Sequence, residues 1–331
     1  MRTRRLGNTD LQLSCIGLGT WAIGGPWDFG WGPQSDEDSI STIRRALDLG
    51  VNWIDTAPVY GLGHAELVVG RAINGRRDKV IIATKCGLVW DECPQRKLCG
   101  RLKAESIKRE AENSLRRLGI ETIDLYQVHW PNPEPDIEEA WSAIGELIAE
   151  GKIRYAGVAN FSVAQMERLQ AIHPIASLQP PYSLLDRAVE SELLPYCVAQ
   201  GIGIVAHGPM AYALLTGKFS HSYIATLPAD DWRRRGGCFQ EPELSANLAF
   251  VDKLKTLAER RDHQVAHLAI AWVLRRPEVT AAIVGARRPQ QIEQTHAAAS
   301  LDWLPEDLET IEAWLAERDR IISTHIACSP V

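Results

Sequence analysis

The sequence has no Cys-x-x-Cys pair, no apolar run of 18 residues and no excess of basic side chains. The first absence excludes the zinc-knuckle and dithiol redox motifs, and the second excludes a membrane-spanning helix. A formal net charge of −6 gives none of the basic surface typical of nucleic-acid-binding proteins. The opening residues MRTRRLGNTDLQL also lack the apolar stretch of a signal peptide. We therefore expect a cytoplasmic protein with reduced thiols, which binds neither nucleic acid nor membrane.

The composition is otherwise that of a soluble globular protein. Hydrophobic residues make up 45% of the 331 residues and charged residues 24%, both close to average. A chain of this length can bury a large core without disulfide bonds or structural metals. No linker or shift in composition divides it, so we expect residues 1–331 to form a single domain.

Short apolar runs alternate with amphipathic stretches along the chain. The runs are mostly apolar throughout and are bounded by Gly, Pro or polar residues, which is typical of strands buried on both faces of a parallel sheet. The predicted strands lie at 15–20, 52–57, 80–85, 123–129, 153–159, 176–181, 202–207 and 280–285. Predicted helices lie at 102–118, 137–149, 266–274 and 290–299, and a further one begins at Ser162.

Eight strands, each followed by a helix, predict an α/β fold of the (β/α)8 TIM-barrel type. Residues 2–13, with Gly7-Asn8 between two short apolar runs, predict an N-terminal β-hairpin that closes the barrel floor. Residues 218–242 predict a long loop at the C-terminal face. A doubly wound sheet is rejected, because the glycines after the first strand have the wrong spacing and the segment after them, starting at Pro26, cannot begin a helix.

Polar side chains end several of the predicted strands. Asp55, Lys85 and His129 end the second, third and fourth strands, and Tyr60 lies five residues beyond Asp55. Each alone is more often a turn cap, a solvated charge, a structural hydrogen-bonding group or a packing residue. Because the active site of such a barrel lies at the C-terminal ends of its strands, the four together indicate a catalytic site.

These segments resemble the aldo-keto reductase family over nearly the whole chain, and most of all its bacterial branch near the potassium-channel β subunits. The resemblance is carried by Asp55–Gly61, Glu66–Gly70, Ala83–Lys85, Asp124–His129, Gly151–Ser162, Leu214–Phe219 and Ile283–Ile292. It implies NADPH-dependent reduction of aldehydes or ketones to alcohols, and the reverse oxidation, on a small carbonyl or sugar-like substrate.

The resemblance also implies a role for each catalytic residue. Tyr60 would be the general acid, and since a phenol has a pKa near 10, a neighbouring Lys85 ammonium would lower it. Asp55 would pair with Lys85, and His129 would orient the carbonyl oxygen. The nicotinamide coenzyme would carry the hydride.

The coenzyme implied by the resemblance is an extended NADP(H), favoured over NAD(H) and bound without a Rossmann fold. Asn160 and Gln179 would hold its carboxamide, and Arg287 with Arg288 would bind the 2′-phosphate through bidentate guanidinium contacts. The full set of expected coenzyme contacts is Thr20, Trp21, Asp55, Asn160, Gln179, His207, Gly208, Pro209, Met210, Ala211, Lys218, Gly285, Arg287, Gln291, Gln294 and Thr295.

Several positions depart from the family pattern. His207 stands where an aromatic residue commonly stacks on the nicotinamide, and Ala159 replaces a frequent Ser. Gln294 and Thr295 stand where Glu and Asn often contact the adenine. These departures concern binding of the coenzyme and leave the catalytic chemistry intact.

Eleven Trp residues against five Phe is an unusual ratio. Loops after barrel strands form the active-site face, so we expect the Trp residues in those loops to wall a substrate pocket that suits apolar or sugar-like faces. They are Trp21, Trp27, Trp31, Trp90, Trp130 and Trp232. Four others fall on strand or helix patterns and are expected in the core, namely Trp53, Trp141, Trp272 and Trp314.

Some alternatives stay open. The same fold and coenzyme could serve a slow-turnover, NADP(H)-binding redox-sensing subunit, and an oligomer is possible. A Schiff-base aldolase using Lys85 would need a lowered lysine pKa, whereas a neighbouring Asp55 should raise it. His263 and His267 have metal-compatible spacing but no third ligand, so no metal is expected, and Cys93 could pair with Cys99 in a loop.

Overall fold

The structure, a computed structural model, describes residues 1–90 and 98–328. Its strands are β1 (Thr3–Arg5), β2 (Gln12–Ser14), β3 (Ile16–Gly19), β4 (Trp53–Asp55), β5 (Ile81–Cys86), β6 (Leu88–Val89), β7 (Cys99–Gly100), β8 (Ile123–Val128), β9 (Ile153–Ala159), β10 (Ser177–Gln179), β11 (Gly203–Ala206) and β12 (Val279–Gly285). Its helices are α1 (Asp36–Asp48), α2 (His64–Ile73), α3 (Ala104–Leu118), α4 (Ile137–Ala149), α5 (Val163–Gln170), α6 (Leu193–Gln200), α7 (His221–Ala225), α8 (Glu243–Arg260), α9 (Val265–Leu274), α10 (Pro289–Thr295) and α11 (Pro305–Cys328).

Eight parallel strands close into a barrel in the order β3-β4-β5-β8-β9-β10-β11-β12, with β12 pairing back onto β3. The TIM-barrel prediction is confirmed, and each barrel strand overlaps one predicted strand. The helices follow the strands around the outside, and the larger core lies between the two layers. Trp141 and Trp272 are fully buried in that core, and Trp314 packs against it.

The helix predictions differ from the structure mainly at element ends. Helix α4 has the predicted bounds, and α5 begins after Ser162, whose hydroxyl accepts from the Gln165 backbone N–H in a capping box. Helix α10 stops at Thr295, and residues 296–300 continue as a 3-10 turn. The predicted loop at 218–242 lies at the C-terminal face but contains α7 and two 3-10 turns, because Ser220 caps a helix there.

The N-terminal hairpin of β1 and β2 closes the barrel floor, as predicted. Leu6, Leu11 and Leu13 join Trp53 in a second apolar cluster inside the barrel. Gly7 has φ +48°, and a Cβ there would lie 2.5 Å from the carbonyl oxygen of Gly201, so only glycine fits this close approach.

The described residues contain no helix long and apolar enough to cross a membrane. They also contain no group of three His, Cys, Asp or Glu side chains that could hold a metal ion. His263 and His267 are neighbours with ring centroids 5.8 Å apart, but His267 hydrogen-bonds the carbonyl oxygen of Gln294 at 2.7 Å. Cys93 lies outside the described residues.

Candidate active site

A buried ion pair lies at the C-terminal ends of two adjacent strands. Lys85 on β5 donates from Nζ to Oδ1 of Asp55 on β4 at 2.6 Å, and both side chains are almost fully excluded from solvent. Lys85 also donates to the carbonyl oxygen of Thr56 at 3.0 Å. In the parallel pairing of β4 and β5, Asp55 lies opposite Ala83. Lys85 is two residues further along β5 and therefore on the same face, so its long side chain reaches Asp55.

Tyr60 completes a hydrogen-bonded chain with this pair. Its phenolic oxygen accepts from Lys85 Nζ at 3.2 Å, and the ammonium lies 5.0 Å from the Tyr60 ring centroid. The Tyr60 ring meets that of His129 edge-on, with centroids 6.0 Å apart. All four residues expected to be catalytic therefore lie together.

Burial raises the pKa of Tyr60, and the nearby Lys85 charge offsets this only in part. The Lys85 charge thus lowers the phenol pKa, as expected, but the net pKa stays above its ordinary value because loss of solvent outweighs the attraction. For Lys85, burial favours the neutral amine, but the charges of Asp55 and Tyr60 outweigh burial and raise its pKa. Tyr60 is therefore a neutral phenol and Lys85 a cation near neutral pH.

The second oxygen of Asp55 is held by two amides. Gln179 on β10 donates to Oδ2 at 2.8 Å, and Gln127 on β8 donates to it at 3.5 Å. Gln179 also donates to Oε1 of Gln127 at 3.2 Å. Gln127 was not predicted from the sequence, although a glutamine within an apolar strand was a usable signal. In the structure it is fully buried and pairs in register with Lys85.

His129 and Asn160 form a second polar group across the barrel mouth. The Asn160 amide donates to the carbonyl oxygen of His129 at 3.0 Å and faces Nε2 of His207 at 3.2 Å. Burial, followed by the charge of Lys85, lowers the pKa of His129 well below its usual range and that of His207 to about 4. Both imidazoles are therefore neutral at neutral pH.

A cavity of about 900 Å³ opens above these residues. The site residues in its wall are Asp55, Tyr60, His129, Asn160, Gln179, His207, Gly208, Pro209, Met210, Lys218, Gly285, Arg287, Gln291, Gln294 and Thr295. Lys85 lies beneath the wall, in contact with Tyr60.

Three residues expected at the cavity are not part of its wall. Thr20 is fully buried and its hydroxyl donates to the carbonyl oxygen of Asp55 at 3.0 Å. Ala211 packs into the apolar core between two lining neighbours. Trp90 lies beyond the end of the short strand β6, so Leu88 lines the cavity in its place.

One wall of the cavity is an aromatic cluster. Trp21, Trp31 and Trp232 lie with ring centroids 5.2 to 6.1 Å apart. Tyr212, which was missed from the sequence, contacts Trp21 and Trp232 edge-on at 5.9 and 5.2 Å. Trp27 and Trp130 line the cavity elsewhere, so five of the six expected Trp residues reach it.

Arg287 ties the far end of the cavity to the loop after β3. Its guanidinium donates to Oε1 of Gln34 at 2.7 Å, to the carbonyl oxygen of Trp31 at 2.9 Å and to that of Pro33. The Gln34 amide donates back to the carbonyl oxygen of Arg287 at 2.8 Å. Gln34 carried no signal in the sequence, since its partner is 253 residues away.

Charge at this end of the cavity is positive. Burial, then the charges of Arg288 and Arg233, lowers the pKa of Arg287, and no acidic group contributes to that shift. Arg233 is neutralised by Asp231 at 2.6 Å and lies over the Trp31 ring. Within the described residues, Arg287 and Arg288 form no ion pair with a carboxylate, so this end of the cavity suits an anionic group.

The backbone leaves room for a ligand beside this charge. A Cβ built on Gly208 would meet no atom within 4 Å, and one on Gly285 would meet only the Gly19 carbonyl oxygen at 4.0 Å. Residues 211–213 have successive positive φ angles, and Tyr212 and Ala213 line the cavity beside this space. The residues present therefore fit a long phosphate-bearing coenzyme.

Comparison with known proteins identifies the family of this chain. The profile described as "Aldo/keto reductase family" matches residues 15–316. This chain belongs to the aldo/keto reductase family. The homologues are oxidoreductases that act on carbonyl and alcohol groups.

Two curated members of the family are similar over most of their length. Aldo-keto reductase YhdN of Bacillus subtilis (strain 168) is 44% identical over 296 residues, covering 88% of this chain and 87% of that protein. The NADH-specific methylglyoxal reductase of Escherichia coli (strain K12) is 35% identical over 315 residues, covering 91% and 94%.

Solved structures of the family superpose on nearly the whole chain. The glycerol dehydrogenase AKR11B4 from Gluconobacter oxydans has a TM-score of 0.86 and 40% identity, with coverage of 96% of this chain and 95% of that one. An aldo/keto reductase from Klebsiella pneumoniae in complex with NADP and acetate has a TM-score of 0.72 and 29% identity, with 94% of each chain covered.

Proposed function

We propose that this protein reduces aldehydes or ketones to alcohols with NADPH, and catalyses the reverse oxidation. The observation that carries the proposal is the hydrogen-bonded chain from Asp55 through Lys85 to Tyr60, placed beside His129 at the base of the cavity. Few other reactions need a buried phenol, an ammonium and a neutral imidazole at one point.

Tyr60 is the proton donor in reduction. Its phenol is neutral near pH 7 because burial raises its pKa, and its oxygen already accepts a hydrogen bond from Lys85. As the proton leaves for the carbonyl oxygen, the Lys85 cation stabilises the developing phenolate. Asp55 keeps Lys85 charged and in place, and two amides hold Asp55.

His129 orients the substrate. Its pKa lies well below the usual range, so its imidazole is neutral and donates a single hydrogen bond to the carbonyl oxygen without competing as an acid. Positioning of the carbonyl between Tyr60 and His129 lowers the entropy cost of reaction.

The remaining length of the cavity would hold the coenzyme, and a bound nicotinamide coenzyme would supply the hydride. Asn160 and Gln179 would hold its carboxamide, the Gly208 segment and Lys218 would contact the pyrophosphate, and Arg287 with Arg288 would bind a 2′-phosphate. The relatives differ in coenzyme, since one is named NADH-specific and another was solved with NADP. The two arginines, which have no carboxylate partner in the part of the chain that the structure describes, support NADPH here.

The substrate is a small carbonyl compound with an apolar or sugar-like face. The aromatic cluster at the cavity wall supports this class, because rings contact apolar faces closely and lose little entropy on binding. The names of two relatives, a methylglyoxal reductase and a glycerol dehydrogenase, refer to small molecules of this kind.

Coenzyme binding is tested by titrating the purified protein with NADPH and NADH while following tryptophan fluorescence. We expect saturable NADPH binding that is weakened by about tenfold or more in Arg288→Ala. Arg288 is the sharper probe, because Arg287 also holds the loop after β3. Tighter binding of NADH, with Arg288→Ala unchanged, would contradict the phosphate assignment.

Catalysis is tested with a panel of aldehydes and ketones under saturating coenzyme. We expect NADPH oxidation with some of them, and a loss of at least about 100-fold in Tyr60→Phe, with coenzyme affinity unchanged. Coenzyme retained through purification without turnover would instead favour the redox-sensing subunit. The Schiff-base aldolase is disfavoured by the buried, ion-paired Lys85, whose raised pKa leaves little free amine.

We also propose where the protein is located and how its chain is organised. A cytoplasmic location and a single domain over residues 1–331 are consistent with the reaction and need separate tests, by cell fractionation and by limited proteolysis.

A further inference from the structure

His207 contacts Asn160 of the candidate active site through Nε2, at the edge of its imidazole ring. The residue follows β11, its backbone N–H donates to the carbonyl oxygen of Pro180 at 3.0 Å, and its own carbonyl accepts from Tyr182 at 3.1 Å. The ring reaches Asn160, at the end of β9, with Nε2 lying 3.2 Å from Oδ1. Both ends of this contact are therefore anchored on barrel strands.

The chemistry of the partners determines which way the Asn160 amide faces. The carbonyl oxygen of His129 can only accept, so the Asn160 atom 3.0 Å from it must be the amide nitrogen. The amide oxygen then faces His207, and because that oxygen can only accept, Nε2 of His207 must carry the hydrogen. Asn160, with φ +63° and its own N–H bound to the carbonyl oxygen of Gln179 at 3.2 Å, cannot easily turn as a unit.

We propose that His207 is a positioning residue, whose Nε2–H holds the Asn160 carboxamide in the one orientation that presents a remaining N–H and a remaining oxygen lone pair to the coenzyme carboxamide. This rests on the proposed coenzyme. Without His207, the amide keeps one anchor at His129 and can rotate away from it. His207 thus acts on the coenzyme by hydrogen bonding through Asn160, and not through the area of its ring.

Two substitutions of His207 separate its hydrogen bond to Asn160 from the contact of its ring. His207→Gln keeps an N–H donor near the position of Nε2 but has no ring, whereas His207→Phe keeps a ring and has no donor. Asn160→Gly removes the carboxamide at a position where glycine accommodates the positive φ. Coenzyme dissociation constants are measured by tryptophan fluorescence for both His207 variants, with Asn160 and with Asn160→Gly.

We expect His207→Phe to weaken coenzyme binding by about three- to tenfold, the value of one lost hydrogen bond, and His207→Gln to stay within about twofold of the wild type. In the Asn160→Gly background the two variants should bind equally, because there is no amide left to hold. Tight binding by His207→Phe together with weak binding by His207→Gln would overturn the proposal in favour of ring stacking.

A measurement without coenzyme tests the same contact. NMR of protein carrying ¹⁵N-labelled histidine distinguishes the two neutral tautomers, and His207 is assigned by its loss in His207→Gln. We expect the Nε2–H tautomer at neutral pH, shifted in Asn160→Gly; an Nδ1–H tautomer would overturn the proposal. A wild-type protein that binds neither NADPH nor NADH would overturn the proposed function and the coenzyme role of His207 together, whereas the stacking result would overturn the proposal alone.

Discussion

Two buried carboxylates near the end of β5 show how the surroundings of a residue determine its chemistry. Asp55 has a full counter-ion in Lys85 at 2.6 Å. Glu110 on α3 is buried as well, but among the described residues its carboxylate accepts from two uncharged donors, the backbone N–H of Gly87 at 2.8 Å and the hydroxyl of Ser106 at 3.0 Å. Burial, only partly offset by these hydrogen bonds, raises the pKa of Glu110 to about 7.

Glu110 makes the free energy of unfolding depend on pH. Its folded pKa of about 7 lies above the ordinary carboxyl value of 4.5, so between these values the folded state binds more protons and stability falls as pH rises. We expect Glu110→Gln to remove this loss and to be more stable than the wild type by up to about 3 kcal/mol at about pH 8. Urea denaturation at about pH 5 and about pH 8 measures it.

The matched control for this prediction is the exposed Glu121→Gln, which should leave the pH dependence of the wild type unchanged. If Glu110→Gln and the wild type lose stability in parallel between the two pH values, Glu110 is not the group responsible.

The proposed role of Tyr60 as proton donor predicts how the reaction depends on pH. Because its pKa is raised, the phenol stays protonated through neutral pH, and the proton needed for reduction is present until the pH exceeds about 10. We expect kcat/KM for carbonyl reduction to be level from about pH 6 to about pH 9 and to fall above that range. A fall beginning near pH 7 would point to another proton donor, and it could not be His129, whose pKa is lowered.

At the scale of elements, the loop between β3 and α1 forms part of the cavity wall and contains few regular backbone hydrogen bonds. It carries Trp21, Trp27 and Trp31, and its far end is held by Gln34, which bonds Arg287 through both amide atoms and donates to Ser39 at 3.0 Å. The contacts of Gln34 and Arg287, which join the loops after the first and last barrel strands, therefore contribute to the order of the aromatic wall.

Gln34→Ala tests that dependence. We expect faster amide hydrogen exchange over residues 21–34 and a loss of about 1 to 2 kcal/mol in stability, since several hydrogen bonds disappear and the Arg287 guanidinium is left with two carbonyl partners. Gln290→Ala, an exposed position on α10, is the control. Unchanged exchange in residues 21–34 would mean that side-chain packing of the indoles holds the loop without Gln34.

At the scale of the whole molecule, the packed floor and the candidate active site lie at opposite ends of the barrel. The floor is packed by Leu6, Leu11, Leu13 and Trp53, whose indole N–H donates to the carbonyl oxygen of Ser14 at 2.9 Å. The hydrogen-bonded chain of the candidate active site, Asp55, Lys85 and Tyr60, lies at the C-terminal ends of the strands. Such separation lets loops vary without disturbing the core.

Leu6→Ala should therefore lower stability without changing the site. Leu6 is fully buried, so we expect a loss of about 2 to 5 kcal/mol in denaturant unfolding, with NADPH affinity at low temperature unchanged. Leu67→Ala, at a leucine that is 47% exposed, should cost well under about 1 kcal/mol. A weakened coenzyme affinity in Leu6→Ala would show that floor and site are coupled.

Much of the fold could be predicted because strand and helix patterns are local. The eight barrel strands and the bounds of α4 follow from hydrophobic periodicity, which neighbouring residues specify on their own. The segment at 218–242 was harder, since its short helix and 3-10 turns depend on caps such as Ser220. Trp90 was misplaced because strand β6 ends one residue before it, a boundary that periodicity does not give.

The sequence by itself determined which residues end the barrel strands, and therefore that Asp55, Tyr60, Lys85 and His129 meet at one face. Periodicity and chain order suffice for that, because parallel strands present their carboxyl ends together. Only the tertiary structure decided which atoms touch, such as Gln34 with Arg287 or His207 with Asn160, and how deeply each is buried. The raised pKa of Tyr60 follows from that burial, because desolvation depends on every surrounding atom and not on neighbours along the chain.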